Sequence, residues 1–141
     1  MDYKTENKNE LIVTKPLKLD CGQTIKDFPI SYKTYGELNE KKNNAILIFH
    51  ALTGDQFVTG NNPITNKEGW WATAVGTGKA VDTDKYFVIC ANVIGGCLGS
   101  FGPSNTNSKT NKVYGTPFPV ITINDMVNAQ YNLLNFFKIE K

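Results

Sequence analysis

Arginine is missing altogether: all fifteen basic residues are lysine. A site that grips a carboxylate or phosphate with a bidentate guanidinium therefore cannot be built from this chain alone. Histidine occurs once, at His50, which argues against a histidine-based metal centre. The three cysteines, Cys21, Cys90 and Cys97, are odd in number and lack C-x-x-C spacing. Neither a disulfide framework nor a zinc knuckle is expected from them, and reduced thiols in a cytoplasmic protein fit best. Charge of one sign is also scarce: the net value is +2, which is not the footprint of a nucleic-acid binder. No apolar run nears the roughly 20 residues that a transmembrane helix needs. Met1 to Glu10 is polar, so no secretory signal is expected. The sequence thus points away from nucleic-acid, membrane and metal partners.

What is present suits one modest globular domain. With 141 residues, 40% of them hydrophobic, there is material for one modest core but not for two ordinary domains. Residues 1–14 read as a disordered polar leader. A strand-like stretch follows at Lys15 to Leu19, and Cys21-Gly22 suits a turn. Phe28 to Tyr35 alternates apolar and polar residues, which predicts a half-buried strand. Ala45 to Phe49 (AILIF) and Tyr86 to Val93 (YFVICANV) are continuous apolar runs, as in parallel strands buried on both faces. A short helix within Gly69 to Val75 would make the crossover between them a βαβ unit. Gly95 to Pro119 reads as a long Gly/Pro/Ser/Asn-rich loop. Thr122-Ile123-Asn124-Asp125 is a capping box, and Met126, Val127, Tyr131, Leu134 and Phe137 mark one apolar helical face.

Two places have the spacing for chemistry. His50-Ala51-Leu52-Thr53-Gly54 follows the AILIF strand, where parallel sheets place their active sites. The main-chain N–H of Leu52 could serve as an oxyanion-hole donor, since such donors tolerate many side chains. On spacing alone, an ordinary strand-to-helix turn relieved by Gly54 is the better reading. His50 itself precedes every position at which an α/β-hydrolase would carry its triad, so it reads as a packed histidine bonded to the loop. Gly95-Gly96-Cys97-Leu98-Gly99 matches G-x-C-x-G, but an elbow must lead into a helix. Here Ser100, Phe101, Gly102 and Pro103 follow, so Cys97 reads as part of a glycine-rich turn. No G-x-S-x-G occurs. Asp82 and Asp84 read as turn residues. Trp70 and Trp71, being adjacent, are expected to point apart, one into the core and one toward a cleft.

In order and spacing, these segments resemble the homoserine O-acetyltransferases. The segments are His50 to Gly54, Gly69-Trp70-Trp71, Asp82 to Cys90, Asn92 to Ser100, Gly102-Pro103-Ser104, and Phe118 to Ile123 followed by Asp125-Met126-Val127. The resemblance runs from about Leu17 to Lys141. It implies an α/β-hydrolase fold, of which residues 15–141 would form the N-terminal part, ending before the nucleophile elbow. It also implies acetyl transfer from acetyl-CoA to L-homoserine through an acyl-serine, in methionine biosynthesis, by a cytoplasmic homodimer with acetyl-CoA as co-substrate rather than cofactor. Leu52 matches the first oxyanion donor. The catalytic Ser, Asp and His, and the Arg that holds the substrate carboxylate, would lie beyond Lys141. The Gly95 to Pro119 loop and Trp70-Trp71 would shape the pocket. The chain alone is then expected to be inactive. A succinyl donor or a serine acceptor remains open, as does a small non-catalytic binding protein of this ancestry.

Overall fold

The computed structural model describes residues 2–5 and 9–140. The chain divides into two compact units, Met1–Ser31 with Asn92–Phe137 and Tyr32–Ala91 with Lys138–Lys141.

In the first unit, β1 (Tyr3–Lys4) pairs antiparallel with β2 (Glu10–Val13), and β2 pairs with the first half of β5 (Phe28–Tyr35). The expected leader is therefore partly built into the fold. Leu11 and Val13 alternate with partly exposed neighbours and are completely buried, which a disordered segment would not allow. Met1 and residues 6–8 of that leader lie outside the described residues. Two short strands, β3 (Leu17–Lys18) and β4 (Thr24–Ile25), form a hairpin whose turn places Gly22 at φ 85°.

Helix α1 (Ile123–Phe137) starts where the capping box predicts. Its buried side chains are Asp125, Ala129, Gln130 and Leu133, while Val127 and Tyr131 are exposed. The expected face was wrong at those two positions. Ile123, Val127 and Tyr131 recur every four residues and form a second apolar stripe, so periodicity alone did not distinguish the two. The predicted loop from Gly95 to Pro119 carries structure of its own. It contains a hairpin of β8 (Thr106–Asn107) and β9 (Lys112–Val113) and an aromatic cluster in which Phe101 packs on Phe118, Tyr114 and Phe28.

In the second unit, the last half of β5 pairs antiparallel with β7 (Phe87–Ala91), which pairs parallel with β6 (Ala45–Ile48). Every residue of β7 is buried, as its continuous apolar run predicts. β6 departs from the expectation: only Ile48 is buried, and Phe49 beyond it is 48% exposed. β7 is flanked by two strands, whereas among the described residues β6 has β7 as its only neighbour. Ile48, Val58, Val75, Val88 and Cys90 form the core, with Tyr35, Ile46 and Val81 against it.

The predicted short helix at Gly69 to Val75 is a run of turns. Its backbone is claimed from both sides. Trp71 N–H donates to Val58 O at 2.8 Å, Gly69 N–H to Gly60 O at 2.7 Å and Val81 N–H to Ala74 O at 2.9 Å. Those bonds displace a helical ladder, so the crossover between the parallel strands is made of turns instead.

Candidate functional site

Residues His50 to Gly54 leave the C-terminal end of parallel strand β6 and fold into a tight turn. The Gly54 N–H closes it by donating to Ala51 O at 2.8 Å. The His50 ring reaches the same carbonyl, with Nδ1 at 2.7 Å from Ala51 O. A carbonyl only accepts, so Nδ1 carries a proton here. Gly54 is required for this closeness: a Cβ there would lie 2.9 Å from His50 Cβ and 3.2 Å from Ala51 O. Leu52 stands at the corner of the turn, 93% exposed. Its N–H has no hydrogen-bond partner among the described residues.

Beyond the turn the chain is pinned tightly. The Asp55 carboxylate accepts from Phe57 N–H at 2.8 Å and from Asn62 Nδ2 at 2.9 Å. Its main-chain oxygen accepts from the Trp70 indole N–H at 2.9 Å. The Tyr35 hydroxyl donates to Gln56 O at 3.3 Å and accepts from Val58 N–H at 3.0 Å. Burial raises the pKa of that hydroxyl above its ordinary value. The Cys90 thiol, 3.7 Å from Asp55 O, is pushed up to about 12, first by burial and then by the charge of Asp55. It is an inert core thiol rather than a nucleophile. Sequence reasoning passed over Asp55, Tyr35 and Asn62: Tyr35 bonds more than twenty residues along the chain, and Asp55 and Asn62 sit in a loop that matches no motif.

The two tryptophans do not point apart. Their rings stack 5.8 Å apart and within 7° of parallel, and both stay more than two-fifths exposed. A turn places successive side chains on one side where a helix would have splayed them. Gly69 lets this segment lie directly on the preceding strand-like stretch, since a Cβ there would fall 2.4 Å from Thr59 N. Asp82 is the turn residue expected: Oδ1 accepts from the N–H groups of Gly78 and Asp84, at 3.0 and 3.1 Å. The Gly78 bond leads the causes that hold its carboxyl below the ordinary range. Asp84 accepts from the Thr77 hydroxyl at 2.9 Å.

In the other unit, Cys97 is exposed and lies in turns, with no helix after it. Gly96 and Gly102 pack backbone on backbone; a Cβ on Gly102 would come within 2.1 Å of Gly96 O. The loop is held by Asn92, whose Oδ1 accepts from Leu98 N–H at 3.2 Å and whose main-chain oxygen accepts from the Ser100 hydroxyl at 2.5 Å. No hydrogen bond joins the Cys97 thiol to a base among the described residues. The glycine-rich turn reading holds. No group of three or more His, Cys, Asp or Glu among the described residues is arranged to hold a metal ion.

No family model matches the chain. Over 135 residues, 96% of its length, it is 76% identical to a homoserine O-acetyltransferase of Pelagibacter ubique, and it covers 36% of that protein. A homoserine O-acetyltransferase of Bacillus anthracis superposes with a TM-score of 0.84 at 32% identity, covering 92% of this chain and 36% of that one. The solved structure of esterase E22 superposes at 0.80 with 34% identity, covering 89% and 36%. The chain thus spans about a third of the length of the curated relatives it matches. Over nearly its whole length the chain is thus similar to homoserine O-acetyltransferases, and it carries part of an α/β-hydrolase fold.

Proposed function

We propose that the chain is the part preceding the nucleophile elbow of a cytoplasmic, homodimeric acyltransferase that moves acetyl from acetyl-CoA to L-homoserine in methionine biosynthesis. Its own contribution to the chemistry is the Leu52 main-chain N–H. In that reaction a serine hydroxyl, supplied by the rest of the enzyme, attacks the thioester carbonyl while a histidine takes its proton. The carbonyl oxygen becomes an oxyanion, and Leu52 N–H donates to it. Collapse expels the CoA thiol with the proton, and the homoserine hydroxyl then repeats the attack on the acyl-serine. The 76% identity to the Pelagibacter ubique enzyme supports this reading most directly. The exposed, unpartnered N–H after a parallel strand fits the role.

The test uses a chimera in which the chain replaces the matching third of the Pelagibacter ubique enzyme. It is expected to form O-acetylhomoserine, while the purified 141-residue chain is expected to form none. Leu52→Pro deletes the donor at a turn corner that tolerates proline, and kcat should fall roughly a hundredfold to a thousandfold. Turnover by the isolated chain that Cys97→Ala abolishes would instead place the nucleophile at Cys97. Release of acetate in place of O-acetylhomoserine would favour an esterase like E22.

A further inference from the structure

We infer that His50 is a positioning residue: its side chain fixes the direction of the Leu52 N–H by clamping the other end of the same peptide group. The inference rests on the oxyanion role proposed for Leu52.

Ala51 C=O and Leu52 N–H belong to one planar unit, and no peptide bond among the described residues is cis. In a trans peptide the two groups point in opposite directions and rotate together. Whatever holds the carbonyl therefore aims the N–H. Two donors converge on Ala51 O, the Gly54 N–H at 2.8 Å and His50 Nδ1 at 2.7 Å. One donor would leave the plane free to rock about a single bond. Two donors from different directions fix it. They also draw electron density toward the oxygen, which makes the N–H a stronger donor. Gly54 serves the same arrangement, because a side chain there would collide with the His50 Cβ and crowd Ala51 O.

The surroundings agree with a functional reading of this constraint. Leu52 is 93% exposed and buries nothing, so the turn is not held for packing. A preorganised donor contributes most when it needs no reorganisation as charge develops, and two fixed bonds behind it supply that rigidity. His50 thereby acts without touching the reacting atoms and without exchanging a proton with them.

The test compares His50→Asn, His50→Gln and His50→Ala in the chimera. Two rates are measured: acetyl transfer to homoserine, and hydrolysis of p-nitrophenyl acetate. The second needs only the nucleophile and the oxyanion donors. Asn places its amide nitrogen where Nδ1 stands, whereas Gln reaches the Nε2 position and matches the bulk of the ring better. We expect His50→Ala and His50→Gln to lower kcat for both reactions by roughly tenfold to a hundredfold. His50→Asn should recover most of that loss. KM should change less than about twofold, because the oxyanion exists only in the transition state. Adding His50→Ala to Leu52→Pro should cost nothing further, since no N–H remains to be aimed.

Equal recovery by Gln and Asn would mean that bulk is what matters and would overturn the clamp. So would full additivity with Leu52→Pro, or p-nitrophenyl acetate rates unchanged by His50→Ala. If homoserine is never acetylated but the hydrolysis follows the predicted order, the transferase reading fails and the clamp stands.

Discussion

The turn at Ala51–Gly54 and the start of α1 at Thr122–Asp125 use the same kinds of group to opposite ends. At the helix start the side chains of Thr122, Asp125 and Asp20 are all tied up in hydrogen bonds. Thr122 N–H donates to Asp125 Oδ2 and Asp125 N–H to Thr122 Oγ1, at 2.9 and 3.2 Å. The Asp20 main-chain N–H donates to Asp125 Oδ1 at 2.9 Å. Asp20 in turn accepts from the Thr122 hydroxyl and from Asn124 Nδ2, at 2.5 and 2.9 Å. At the turn the carbonyl of Ala51 is held twice, while the N–H of Leu52 is left open. Closed networks stabilise a fold, whereas a donor held rigid and left open is available to a ligand. On the oxyanion role proposed for Leu52, the contrast separates a structural polar cluster from a functional one without reference to side-chain type.

Removing the open donor should have the largest effect on function and almost none on stability. Leu52→Pro should lower kcat of the chimera by roughly a hundredfold to a thousandfold and leave its urea midpoint in place. An equal loss of stability would mean that the turn is structural and would erase the contrast.

Removing the closed carboxylate should do the reverse. Asp125 is 1% exposed and anchors two main-chain donors, so Asp125→Ala should cost about 3 kcal/mol in urea unfolding. The kcat of the folded fraction should stay as it was. A smaller effect comes from Thr122→Ala, expected at about 1 kcal/mol. Hydrogen bonds from Thr122 and then Asn124 hold the Asp20 carboxyl below its ordinary value. A lowered carboxylate pKa stabilises the fold above its unfolded value and loses that contribution as pH falls through the folded one. The deficit of Thr122→Ala should therefore shrink in acid, which unfolding at two pH values would reveal.

The smallest effect concerns the thiols. Iodoacetamide followed by peptide mapping should label Cys21 and Cys97 and spare Cys90. Cys90 holds its proton in the fold up to about 12, against 9.0 unfolded. Its contribution to stability is full below pH 9.0 and is lost as pH rises toward 12, so its protection should fail on the alkaline side.

Several features were legible because they are local. The capping box set the first turn of α1, alternation set β5, and the unbroken apolar run set β7. Cys97 could be dismissed as an elbow because the glycines and proline after it cannot continue a helix. Other features were not legible because a distant partner decides them. Gly69 to Val75 has helical composition, yet Val58, Gly60 and Val81 take its backbone groups. The two apolar stripes of α1 look alike in sequence, and only packing chose Ala129 and Leu133 over Val127 and Tyr131.

The sequence by itself determined the resemblance to the homoserine O-acetyltransferases, through segments in a fixed order, and the buried strand β7 and the turn after β6, through residues within a few places of one another. The tertiary structure decided which N–H of that turn stays open and what holds it. Those answers depend on where the Ala51–Leu52 peptide plane comes to rest, and His50 and Gly54 fix it through bonds to the Ala51 carbonyl that exist only once the chain has folded.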